Sequence, residues 1–179
     1  MKELKTGLKL YLSSKKIRSR IDKLGKIISN DFSNKNPIFL GIMNGSFMFM
    51  SDLMKTISIP CEIDFIKIHS YKGKKSTGEI RYLNDSTLDI TDRHVIIVED
   101  IIDTGTTAKY LINMCKEANA KSISIATLLL KSGLKGLNFN INYIGFEITR
   151  EFVVGYGLDY NQKFRNLDSI YLIEDKNIK

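Results

Sequence analysis

The chain has 179 residues, of which 43% are hydrophobic, enough for one globular domain with a full-sized core. No apolar run approaches the length of a membrane span, and the amino-terminal MKELKTGLKLYLSSKK lacks the apolar stretch and small-residue cleavage site of a secretory signal. The net charge of +7 suits phosphorylated small molecules, nucleic acid or acidic membranes alike and does not choose among them.

In chain order, Ile17, Ile21, Leu24 and Ile28 recur at helical spacing between Ser14 and Asp31. Ahead of residue 38 only this short helix fits. PIFLGI (37–42) reads as a buried strand, and GSFMFMSDLMKTI as a helix beginning near Gly45. CEIDFIKIHSY (61–71) and HVIIVED (94–100) are the next strands, the second followed by a helix with Ala108, Leu111, Ile112 and Cys115 on one face. KSISIATLLL (121–130), INYIGFEI (141–148) and SIYLIED (169–175) complete the set. Pro37 and Pro60, the two prolines, each precede an apolar run. Cys61 and Cys115 show no CxxC or Cys/His pattern, so reduced core thiols of a cytoplasmic protein are expected rather than a metal site or disulfide. Nothing interrupts the chain as a repeat or linker, and residues 1–179 are expected to form a single domain.

Short continuous apolar strands alternating with helices imply an α/β fold, a mostly parallel central sheet flanked by helices. Such sheets bind ligands outside the carboxyl ends of their strands. That edge should gather Met43-Asn44-Gly45, His69-Ser70-Tyr71, Glu99 to Thr107, and Lys131, all expected to follow strands.

VIIVEDIIDTGTT (95–107) is the most informative stretch. The amides of Asp103 to Thr107 are expected at a strand-to-helix turn. Unpaired amides backed by the helix dipole there suit a phosphate group. Gly105 allows close approach, and the threonine hydroxyls add donors without bulk. Glu99 and Asp100 would be repelled by phosphate but suit ribose hydroxyls or a Mg2+ ion. Phosphate, ribose and metal together describe a ribose 5-phosphate. A P-loop hydrolase would need GxxxxGK[ST], which GKKSTG does not match, and a receiver domain would carry acidic residues near the amino terminus. GYGLDY lacks the third glycine of a dinucleotide fingerprint. A simple helix cap explains Asp103 or Thr104 but not the whole run.

With these residues, the stretch resembles the signature of the type I phosphoribosyltransferases, and in its Glu-Asp-Ile-Ile-Asp-Thr-Gly form the hypoxanthine–guanine branch. MNGSFMF, SYKGKKSTGEI, LLLK, GFEI and EFVVGYGLDYNQKFRNL resemble that branch in the same order, so the likeness covers roughly residues 38 to 174. The resemblance implies the family's fold, with a small hood formed by the amino-terminal segment and residues about 131–179. It also implies transfer of the phosphoribosyl group of phosphoribosyl pyrophosphate to N9 of a 6-oxopurine, with departure of pyrophosphate.

The same resemblance implies roles. Asp103 is the general base that takes a proton near purine N7. Glu99 and Asp100 meet ribose hydroxyls directly or through Mg2+, with Ile101 beside them, and Thr104, Gly105, Thr106 and Thr107 bind the 5-phosphate. Lys131 reaches the purine O6, Phe152 stacks on the base, and Val153 offers backbone groups to its edge. Asp159 lies near a second metal, and Arg165 meets pyrophosphate. Asn44 and Gly45 belong to the pyrophosphate loop, where the family usually has Lys or Arg in place of Asn44, and often a cis bond before it. Residues 70–81 imply a lid bearing the paired Ser70 and Tyr71. The alternative is a regulator of the same fold that senses phosphoribosyl pyrophosphate and binds nucleic acid. Retention of Asp103, Lys131 and Phe152 together argues for the enzyme, so nucleic acid and membranes are not expected partners. The family also implies a homodimer or homotetramer.

Overall fold

A computed structural model describes residues 7–70, 80–82, 89–134 and 136–174, with only the backbone at 69–70 and 80–82. The elements run β1 (Leu8–Leu12), α1 (Ser14–Asp31), β2 (Ile38–Met43), α2 (Phe47–Met54), β3 (Glu62–Ser70) and β4 (Ile80–Tyr82). They continue as β5 (His94–Ile102), α3 (Thr106–Glu117), β6 (Ser122–Lys131), β7 (Tyr143–Ile148), β8 (Val153–Val154) and β9 (Ile170–Ile173).

Six strands form one sheet in the order β4-β3-β2-β5-β6-β7. All neighbours in it are parallel except β4, which pairs antiparallel with β3 at the edge. The α/β expectation is borne out. Strand β5 lies between β2 and β6, and Val95 to Val98 are fully buried. Burial on both faces removes the polar alternation of a surface strand, which is why the sequence reads as an unbroken apolar run.

Helices α1 and α2 cover one face. Ile17, Ile21, Leu24 and Ile28 of α1 pack with Phe49, Met50 and Leu53 of α2 against Phe39, Ile96 and Val98. Helix α3 covers the other face, where Ala108, Leu111, Ile112 and Cys115 meet Leu40, Val95, Ile97 and Ile125. Ser13 caps α1 by accepting a hydrogen bond from the Lys16 N–H. Arg20 of α1 donates to the carbonyls of Ile144 and Gly145 (2.6 and 2.8 Å) and so covers part of edge strand β7.

A second, three-stranded sheet has the order β1-β9-β8, antiparallel throughout. Val153, Tyr156, Leu158 and Ile170 join the main core from this region. Val154, Phe164, Leu167 and Tyr171 form a small cluster of their own.

Three strands depart from the expectation. Strand β1 lies ahead of α1, where only the helix was expected, and β4 and β8 are three and two residues long. Strand β5, read from the sequence as 94–100, runs two residues further to Ile102, so the turn into the next helix starts at Asp103.

Candidate functional site

The carboxyl ends of the parallel strands place Met43, Ser70, Ile102 and Lys131 along one edge of the sheet. Above β5 the chain turns through Asp103, Thr104 and Gly105 into α3. Gly105 is the N-cap, with φ +78°, a left-handed conformation that favours glycine. A β-carbon there would also lie 2.5 Å from Leu137 Cδ2. Thr104 Oγ1 accepts a hydrogen bond from the Thr106 N–H (3.3 Å) and lies 3.0 Å from Thr106 Oγ1. The loop thus combines exposed hydroxyls with the first amides of a helix, which have no partner inside the helix.

Asp103 and Lys131 form an ion pair at 3.0 Å, with the lysine side chain 14% exposed and the aspartate 59%. They line a cleft of about 690 Å³ with Thr104, Gly133, Leu134 and Arg150. Arg150 and the Gly133-Leu134 pair are not singled out by the sequence pattern. Their only signal is position, just before Phe152 and just after Lys131. Arg150 reaches across to the Gly133 carbonyl at 3.5 Å.

Glu99 is 7% exposed, and its Oε2 is buried without a hydrogen-bond partner. Burial, aided by the neighbouring Asp100 charge, pushes its carboxyl up to about 8. Burial also raises Asp100 to about 6, against the pull of the Asp100 and Ile101 amides and of Arg165. Asp100 packs directly on the Asn44–Gly45 loop, since a β-carbon at Gly45 would fall 1.8 Å from its Oδ2. The Met43–Asn44 peptide is cis. Ile101 is half-buried beside the cluster under α1 and α2.

The segment after β7 closes the other side. Phe152 is 54% exposed and meets Tyr160 edge to face at 5.8 Å between centroids. Val153 is buried in β8. Arg165 donates Nη1 to the Gly157 carbonyl (2.8 Å), while its Nη2 meets Asp159 Oδ1 at 2.6 Å and Gln162 Oε1 at 3.1 Å. Much of the Arg165 fork is therefore engaged within this segment. Asp159 also accepts from the Gln162 N–H (2.9 Å).

Two groupings result: Asp103, Lys131 and the Thr104–Thr107 loop on one side, and Asn44, Gly45, Asp100, Asp159 and Arg165 on the other. Among the described residues, no three His, Cys, Asp or Glu side chains converge as a metal cage. Tyr71 and most of the 70–81 segment lie outside the described residues, as does the side chain of Ser70.

A family profile, phosphoribosyl transferase domain, matches residues 8–161. The chain is 44% identical to a hypoxanthine-guanine phosphoribosyltransferase of Streptococcus pneumoniae, covering 94% of both chains. Its structure resembles a crystal structure of a hypoxanthine phosphoribosyltransferase from Staphylococcus aureus, with a TM-score of 0.88 and 38% identity over 94% of this chain and 92% of that one. A hypoxanthine-guanine phosphoribosyltransferase from Bacillus anthracis superimposes with a TM-score of 0.87 at 34% identity, over 92% of this chain and 98% of that one.

Proposed function

The chain belongs to the phosphoribosyltransferase family, and from that premise we propose that it is a purine-salvage enzyme. It transfers the phosphoribosyl group of phosphoribosyl pyrophosphate to N9 of hypoxanthine or guanine, giving IMP or GMP and pyrophosphate. The observation that carries this reading is the Asp103–Lys131 pair lining one cleft with Thr104 of the phosphate loop. A proton acceptor and a cationic donor stand together where a 6-oxopurine would meet the sugar phosphate.

In this reading the Thr104–Thr107 loop grips the 5-phosphate, and Lys131 donates to O6. A 6-amino group offers no acceptor of that kind, so the lysine selects the oxo base. Asp103 takes the proton that the purine loses near N7 as the N9–C1 bond forms. Phe152 lies along the base, and Val153 presents backbone groups to its edge. The amides of Asn44 and Gly45, with Arg165, receive the departing pyrophosphate. Preorganised charge and alignment supply most of the acceleration, because positive charge develops on the ribose while negative charge collects on the leaving group.

Glu99 and Asp100 suit a Mg2+ ion: a buried and a half-buried carboxylate with raised affinity for protons, the first with an unpartnered oxygen, would accept a cation or hydroxyl donors. Such an ion needs only one or two carboxylates when substrate oxygens and water complete its shell, so a three-residue cage is not required. Mg2+ would neutralise charge on the pyrophosphate, and Asp159 is the carboxylate near a second ion. The small sheet β1-β9-β8 belongs to the hood of a single domain.

Among the described residues no helix is long and apolar enough to cross a membrane. A cytoplasmic homodimer or homotetramer fits the reading, and exposed Phe47, Ile63 and Phe65 offer an apolar contact surface. Incubation with phosphoribosyl pyrophosphate, Mg2+ and each base in turn tests the function. Nucleotide should form with a 6-oxopurine and not with adenine; no turnover with any 6-oxopurine rejects the proposal.

A further inference from the structure

Gly155, Tyr156 and Gly157 carry φ values of +95°, +53° and +96° in succession. Glycine accepts such angles freely, but a bulky aromatic residue does not. Local strain of this kind persists only where surrounding contacts over-determine it, and it marks places worth testing for a role.

The contacts at Tyr156 are specific. Its side chain is buried in the core beneath α2, and its hydroxyl donates to Asp52 Oδ2 at 2.6 Å. Its own N–H donates to the Leu167 carbonyl at 2.8 Å. Asp52 sits on α2, where Oδ1 also accepts from Lys55 Nζ at 2.8 Å. Helix α2 starts at Phe47, immediately after the Asn44–Ser46 loop, so the bond at Asp52 fixes the rigid element on which that loop is mounted.

Gly157 then lies flat against the loop. A β-carbon there would be 2.1 Å from the Gly45 carbonyl oxygen. The same glycine exchanges two hydrogen bonds with Arg165: its N–H donates to the Arg165 carbonyl (2.9 Å), and its carbonyl accepts from Arg165 Nη1 (2.8 Å). Two separate contacts therefore join one segment to the other: backbone against backbone at Gly45 and Gly157, and side chain to side chain at Asp52 and Tyr156.

We infer that the Asp52–Tyr156 bond is a positioning latch that sets the gap between the Asn44–Gly45 loop and Arg165, and so governs capture of pyrophosphate. Neither side chain touches substrate; both act through Gly45 and Gly157. The inference rests on the proposed pyrophosphate role of that loop. Asp103 and Lys131 sit at the ends of β5 and β6, outside the latched segments, and Val153 next to Phe152 is held by its own ladder to β9, so the purine side should feel little change.

Tyr156→Phe removes the hydroxyl and keeps the ring in the core. Expected is a rise of about fivefold or more in KM for phosphoribosyl pyrophosphate and in Kd for pyrophosphate measured by calorimetry with Mg2+, with KM for hypoxanthine within about twofold. Asp52→Ala should match it, and the double variant should be no worse than either single one. Asp52→Asn retains an acceptor oxygen and should recover most of the loss. A purely structural bond would lower the melting temperature without this split between substrates. Unchanged pyrophosphate affinity in Tyr156→Phe, or an equal rise in both KM values, would overturn the latch. The calorimetric arm needs no turnover, so a wild-type protein inactive with every 6-oxopurine would sink the purine reading separately.

Discussion

The Asp103 carboxylate meets the Lys131 ammonium across 3.0 Å, one group just past the end of β5 and the other on the last residue of β6. These strands are parallel neighbours in register from His94 opposite Ser122 to Ile102 opposite Leu130, so the sheet itself sets the spacing of the pair. In the proposed reaction a 6-oxopurine entering the cleft would divide the pair, taking the lysine for its oxo group and leaving the aspartate free to accept a proton.

Asp103→Asn should therefore reduce turnover by at least about tenfold, at the low end of what a positioned general base contributes. Affinity for phosphoribosyl pyrophosphate should change little, because the amides and hydroxyls of the phosphate loop remain. Steady-state kinetics with hypoxanthine checks this, and near-normal turnover would remove Asp103 as the base.

Lys131→Met keeps an unbranched apolar stem and loses the charge. Hydrogen bonds to charged groups contribute about 1.5–3 kcal/mol, so kcat/KM for hypoxanthine should fall by roughly 10- to 100-fold. Discrimination against adenine should shrink at the same time. A variant that still prefers hypoxanthine as strongly as the parent would show that selection resides elsewhere.

Glu99 predicts a pH dependence in the absence of cations. Its ordinary value of 4.5 holds in the unfolded chain, whereas in the folded protein burial raises it to about 8. Between these values the folded state binds more protons, so stability falls as pH rises through that window. Melts in EDTA should show the decline, Glu99→Gln should flatten it, and Mg2+ with phosphoribosyl pyrophosphate should offset it in the parent. Equal slopes for parent and variant would contradict the assignment.

Gly45→Ala places a methyl group where the Asp100 carboxylate now sits. Overpacking of this kind typically costs about 1–3 kcal/mol, a loss of roughly 2–12 °C in melting temperature for a chain of this size. The displaced Asp100 should also weaken binding of phosphoribosyl pyrophosphate. Differential scanning calorimetry with a parallel binding titration reads both effects.

The main sheet was legible because its central strands β2, β5 and β6 are buried on both faces and announce themselves as apolar runs. The faces of α1 and α3 were equally plain, since the buried residues recur at helical spacing. The small sheet was not. LKLYL carries a lysine and is partly exposed, and its partner, residues 170–173, lies at the other end of the chain, so no local pattern signals the pairing. The site showed the same division. The phosphate-loop residues are contiguous and could be read directly, whereas the burial of Glu99 depends on β5 continuing to Ile102. The seating of Asp100 on Gly45, the clasp between Arg165 and Asp159, and the Asp52–Tyr156 bond join segments far apart in sequence. No spacing rule exposes them.

Among the described residues, strands β1 and β8 are not partners; each is hydrogen-bonded only to β9, which lies between them and follows the other described strands along the chain. The large sheet draws on residues 38–148 alone, whereas Val153 and Val154 have no ladder until residues 170–173 pair with them. The wall next to Phe152 accordingly depends on a strand some twenty residues further along the chain. A chain cut before residue 170 would keep every strand of the large sheet and lose the shared partner of both β1 and β8.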